Sequence, residues 1–239
     1  MTLPTTIPTT LPTTLPTQST LEALDPVFAE MAAASFRPTA SGAQLTPREH
    51  TVVSLVADVC EQILGIPFEL HVRAALNNGL DADDLRELLR FVSYDSGYPA
   101  ALAALERLAE VEREHGLPGP TGQSHHVNAD GTGSPMPATL RAEMNAIDPG
   151  FAEYMDLQSR MRADMSRISV RERALACMTV DVIYQTLEES FRIHVGRALG
   201  AGVTPDEARA AVRATATFGM TRAWRASIVL DGLLIDLEV

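Results

Sequence analysis

Residues 68–79 read FELHVRAALNNG and residues 191–202 read FRIHVGRALGAG. Each is a helical pattern with one histidine on its apolar face. Phe68, His71, Val72 and Ala75 follow the i, i+3, i+4, i+7 spacing of a buried helix stripe, and Phe191, His194, Val195 and Ala198 repeat it. The two stretches lie 123 residues apart, and the same offset aligns much more of the chain. Asp25-Pro26 and Phe28-Ala29-Glu30 match Asp148-Pro149 and Phe151-Ala152-Glu153. Arg48-Glu49 matches Arg171-Glu172, Asp58-Val59 matches Asp181-Val182, and Gly79 matches Gly202. About twenty identities fall in one ungapped register from Asp25 to Arg90, so the chain is a tandem duplication.

Helix signals recur at equivalent places. Thr46-Pro47-Arg48-Glu49 and Ser169-Val170-Arg171-Glu172 are capping boxes, and each opens a long apolar helix. Gly79 and Gly202 close the histidine helices. Asp81 to Asp84 and Thr204 to Glu207 start the next pair, with further helices expected at about 99–114 and 221–237. No alternating strand pattern stands out, so the expected class is all-α, two tandem helical-bundle domains. The expected boundaries are a disordered Pro/Thr-rich tail at 1–19, a first domain at 20–114, a Gly/Pro/Ser-rich linker at 115–137 and a second domain at 138–239.

Composition narrows the function. The net charge is −12, with 31 acidic and 19 basic residues, which argues against nucleic acid or an anionic membrane as a partner. All the basic residues are arginine, so lysine Schiff-base chemistry is excluded. Two cysteines, Cys60 and Cys177, make neither a disulfide framework nor a zinc cluster, and no apolar run is long enough to cross a bilayer. The tail lacks the basic and apolar regions of a signal peptide, and the expected location is cytoplasmic. The His125-His126 pair in the linker is read as solvated, and no metal and no cofactor are expected.

FELHVRAALNNGLDADDLRELL together with Gly97-Tyr98-Pro99-Ala100-Ala101 resembles the carboxymuconolactone decarboxylase family, which has the alkylhydroperoxidase D-like fold. The second copy keeps His194, Ala198, Gly202 and the Thr204 cap, but reads FGMTRAW at 218–224 where the first has its Gly-x-Pro segment. The resemblance implies that His71 or His194 faces a pocket as a proton carrier, with Glu69 and Glu189 as catalytic companions. Glu69 is also open to a solvated or interface reading. Glu189 matches a glutamate common in decarboxylase members. Redox members carry a Cys-x-x-Cys pair just before the histidine. Here Ser190 and Leu187 stand at those places before His194, so a dithiol cycle is not expected.

Candidate pocket residues are Glu61, Arg73, Tyr94 and Asp95 in copy one, with Tyr184, Arg192, Arg222 and Trp224 in copy two. Cys60 is carried with them, although a buried structural thiol is its plainer reading. Arg222 could hold a substrate carboxylate or form a salt bridge. The expected function is cofactor-free, non-redox acid–base chemistry on a small organic acid, lactone or polyketide-like intermediate. Decarboxylation, isomerisation and cyclisation, in a biosynthetic setting, all fit. The alternatives are a peroxidase-like reductase and a non-catalytic binding or assembly protein. The resemblance further implies a homo-oligomer, a trimer with pseudo-hexameric arrangement.

Overall fold

The structure is a computed structural model that describes residues 17–40, 44–122, 127–130, 134 and 136–237. Twelve helices are formed among them, with no strand. In copy one they are α1 (Gln18–Leu24), α2 (Pro26–Ala40), α3 (Pro47–Glu61), α4 (Ile66–Asn77), α5 (Ala82–Ser96) and α6 (Tyr98–His115). Copy two repeats the order as α7 (Ala138–Ile147), α8 (Pro149–Ala163), α9 (Val170–Tyr184), α10 (Glu189–Gly200), α11 (Pro205–Ala214) and α12 (Met220–Asp236). The expected all-α tandem repeat is therefore present. A 3-10 turn, Thr215–Phe218, joins α11 to α12.

The expected caps form. Glu49 N donates to Thr46 Oγ1 at 3.2 Å while Thr46 N donates to Glu49 Oε2 at 2.8 Å. Ser169 and Glu172 repeat this at 3.1 and 2.8 Å. Reciprocal satisfaction of these end groups fixes the start of α3 and of α9. After the histidine helices the chain turns through Gly79 and Gly202, both at φ +83°, a region that disfavours residues with a Cβ.

The two copies lie against each other around the α3–α9 pair, which forms the seam of the molecule. The exchange is reciprocal, since α5 of copy one packs on α9 and α11 of copy two packs on α3. One apolar core accordingly joins Val52, Val56, Phe68 and Leu88 of copy one to Ile168, Ala176 and Val180 of copy two. A second core gathers Phe191, Val195 and Leu230 and takes in Val53 of α3. Arg48 Nε donates to Glu172 Oε1 at 2.6 Å and Arg171 Nε to Glu49 Oε1 at 2.5 Å, a pseudo-two-fold pair of bonds across the seam.

Two expected boundaries differ in detail. α1 begins at Gln18, inside the stretch read as tail, and the other tail residues lie outside those described except Thr17, which caps α1. The segment read as linker is held to the helices, since Thr121 donates from N and Oγ1 to Asp83 Oδ2 at 3.1 and 2.6 Å and the Ala129 carbonyl accepts from Arg160 at 3.4 Å. The His125-His126 pair lies outside the described residues. Among those described, no helix is long and apolar enough to cross a membrane, and no His/Cys/Asp/Glu group has the geometry to hold a metal.

Candidate active site

Each histidine meets a buried aspartate from the preceding long helix. His194 Nδ1 on α10 lies 2.6 Å from Asp181 Oδ2 on α9, and His71 Nδ1 on α4 lies 2.6 Å from Asp58 Oδ2 on α3. Asp181 and Asp58 are 2% and 0% exposed, so each carboxyl must find its partners inside the protein. Neither aspartate was among the residues expected at the site. A signal was available: an aspartate sits inside each apolar helix, TVVSLVADVCE and ALACMTVDVIY, at the same repeat position.

The hydrogen bonds to the other oxygen of each aspartate separate the copies. In copy two, Asp181 Oδ1 accepts from Thr186 Oγ1 and Ser190 Oγ, both at 2.7 Å. Copy one has Ile63 and Pro67 at those positions, and among the described residues Asp58 Oδ1 has no donor.

His194 also faces space. It lines a cavity of about 490 Å³ together with Cys177, Arg162, Arg173, Arg197 and Phe91. Arg173 donates to the Met165 carbonyl at 2.6 Å. Arg197 is exposed at the end of α10 and forms no ion pair among the described residues. Three guanidinium groups and an imidazole around one cavity favour an anionic ligand. Burial by itself lowers the pKa of His194, but hydrogen bonds to Asp181 and Cys177 outweigh it and push the group up to about 10. Those bonds favour the protonated imidazole, the form that can give up a proton.

Copy one contributes to this wall. Phe91 and Asp95 both come from α5, and Asp95 Oδ2 accepts from Arg162 at 3.1 Å and from the Cys177 thiol at 3.8 Å. The Arg162 guanidinium stacks 3.8 Å from the Tyr94 ring centroid and 4.9 Å from that of Phe91. Tyr94 and Asp95, read from the sequence as belonging to a copy-one pocket, thus stand behind the copy-two cavity. Because α5 packs on α9, the neighbour in space belongs to the other repeat.

His71 lines neither this cavity nor a second one of about 460 Å³ between Tyr94, Tyr98, Phe151 and Tyr154. Its ring lies 6.0 Å from that of Phe218, contributed by copy two. The copy-one counterparts of Cys177, Arg173 and Arg197 are Ser54, His50 and Ala74. The arginines that surround His194 have no equivalent around His71.

The other expected residues are placed elsewhere. Glu69 is paired with Arg107 and approaches His115 at 3.4 Å, which ties α4 to α6. Glu189 is exposed in the first turn of α10, where a carboxylate suits the positive end of a helix. Arg222 donates to Glu61 at 2.5 and 3.1 Å and to the Phe218 carbonyl at 2.7 Å, so of the two readings of this arginine the salt bridge forms. Cys60 is buried, its thiol pushed up to about 12 by burial, and its carbonyl accepts from Tyr184 Oη at 3.3 Å. Arg192 pairs with Asp236 at 3.2 Å on the surface, and Trp224 is 67% exposed on α12. Arg73 is half-buried on α4 and lines neither cavity.

An all-α tandem repeat that sets a histidine against a buried carboxylate at matched places in both halves is a specific architecture. The chain belongs to the carboxymuconolactone decarboxylase family, whose model matches residues 23–110 and 151–231. Over 48 residues it is 40% identical to 4-carboxymuconolactone decarboxylase of Acinetobacter baylyi. That match takes in 20% of this chain and 36% of the relative, so the chain spans about a third of that enzyme's length. A crystal structure from Burkholderia xenovorans, of a protein provisionally designated a gamma-carboxymuconolactone decarboxylase subunit, superposes with a TM-score of 0.52 at 19% identity. The superposition covers 91% of this chain and 90% of that one, and the likeness is one of fold.

Proposed function

We propose that the protein is an acid–base enzyme that needs no cofactor and acts on a small carboxylated substrate, a lactone or keto acid, in the copy-two cavity. The observation that carries this reading is the Asp181–His194 pair opening onto a cavity edged by Arg162, Arg173 and Arg197. The arginines supply the charge to hold a carboxylate. When a carboxylate leaves as carbon dioxide from a carbon beside a carbonyl, its electron pair stays behind as an enolate. That carbon then needs a proton, and an imidazolium is the group to give it. Asp181 accepts from Nδ1 and leaves Nε2 as the donating nitrogen. The same proton transfer serves an isomerisation, so decarboxylation is the leading reaction and isomerisation or cyclisation its neighbours. The name of the Acinetobacter relative supports that order.

A reductase cycle has little support, since both cysteines are buried and free and Cys60 lies outside the cavity. Assembly into a homo-oligomer fits the exposed Phe28, Met31, Trp224 and Ile228. The test is a panel of carboxylated lactones and β-keto acids offered to His194→Ala and His71→Ala proteins. Activity should fall with His194 and survive loss of His71. Full activity in the His194 variant would end the proposal.

A further inference from the structure

Copies one and two carry the same Asp–His pair with the same 2.6 Å contact, yet the carboxyl groups are not equally held. Asp181 has three partners, His194 on Oδ2 and the hydroxyls of Thr186 and Ser190 on Oδ1. Among the described residues Asp58 has one, and its buried Oδ1 meets no donor, with Ile63 and Pro67 at the repeat positions of Thr186 and Ser190. We propose that Thr186 and Ser190 are positioning residues that keep Asp181 a carboxylate and thereby keep the shared proton on His194. In copy one their absence moves the proton to Asp58, so His71 is left as an acceptor. This rests on the acid–base reading of the copy-two site.

The physical reason is a competition between two arrangements with the same number of protons. One is carboxylate with imidazolium; the other is carboxylic acid with neutral imidazole. Hydroxyl donors stabilise the charged carboxylate and do much less for the neutral acid. Two of them favour the first arrangement, and a dry, donorless oxygen favours the second. Burial raises Asp58, against the hydrogen bond from His71, in the direction this requires. The other groups facing His194 are Cys177 of α9, with Asp95 of α5 and Arg162 of α8 behind it, and Arg173 and Arg197 at the cavity edge. These stay unchanged when Thr186 and Ser190 are replaced, so the two hydroxyls can be tested alone. Ser190 stands where redox members of the family carry a cysteine. Its hydroxyl is directed to Asp181.

The test is nitrogen-15 NMR of the imidazole rings in the full-length protein, with His194 and His71 assigned through their Gln variants. At neutral pH the wild-type His194 ring should show both nitrogens protonated and His71 one bare nitrogen. In Thr186→Val/Ser190→Ala the His194 ring should acquire a bare nitrogen. kcat should then fall at least about tenfold while KM stays within about twofold. The reciprocal Ile63→Thr/Pro67→Ser protein should protonate both His71 nitrogens. If the double variant does not fold, Thr186→Val alone and the reciprocal protein are read in the same way. An unchanged His194 signature after loss of both hydroxyls overturns the proposal. If no acid is turned over but the signatures respond as stated, the function reading fails and the positioning role stands.

Discussion

Arg48 Nε donates to Glu172 Oε1 at 2.6 Å, from the first turn of α3 to the first turn of α9. The same Arg48 reaches the carbonyl of Gly79 at 2.9 Å, and Arg171 reaches that of Gly202 at 2.7 Å. Each arginine thus ties its own copy's glycine turn to the other copy's capping glutamate. Glu172 is 6% exposed, and burial alone would raise its pKa. Hydrogen bonds from Ser169 and Arg48 reverse this and hold the carboxyl below its ordinary value. Arg48→Ala should cost about 1–3 kcal/mol, because a buried carboxylate loses a charged donor. A depressed carboxyl stabilises the fold above its unfolded pKa and loses that contribution as pH falls. The variant should therefore show a weaker decline in acid than the wild type, measured by thermal unfolding from pH 7 to pH 3.

Asp181→Asn should lower kcat by about 10²–10⁴-fold with KM little changed, since the substituted amide cannot anchor the imidazolium. Asp58→Asn should leave kcat within about twofold. Steady-state kinetics on both variants, with circular dichroism to confirm folding, checks the pair. Equal losses would show that both copies carry the chemistry.

His194 acts as an acid while its proton is present, so kcat should hold through neutral pH and fall as pH passes about 10. Stability follows the same sign. A histidine raised from its ordinary value of 6.5 to about 10 contributes fully below the lower value. That contribution is then lost progressively as pH rises toward the upper one. His194→Gln should flatten the alkaline decline of Tm, and an unaltered decline would place the titration elsewhere.

Arg197→Met should raise KM for an acid substrate by roughly tenfold or more and leave kcat nearly unchanged, as expected when a binding charge is removed. Arg222→Met is the control. Its guanidinium is held by Glu61 and the Phe218 carbonyl, so KM should not move. Stability should drop by about 0–1 kcal/mol, the usual range for a partly exposed ion pair. A large KM effect at Arg222 with none at Arg197 would reverse the assignment of the anion site.

The sequence by itself determined the all-α class, the tandem repeat, the capped starts of α3, α5, α9 and α11 and the two inward-facing histidines. These follow from local rules of periodicity, capping boxes and glycine turns, which act within a few residues. Only the tertiary structure decided that Asp58 and Asp181 are the histidines' partners, because thirteen residues and a turn separate each pair. It also decided that Asp95 and Phe91 of copy one stand at the cavity of His194, while Phe218 of copy two stands against His71. Periodicity tells which face of a helix is buried, not which helix buries it. Here the partner helices are exchanged between the copies. Two motifs that look alike in the sequence therefore receive different neighbours, and only one of them meets the arginines.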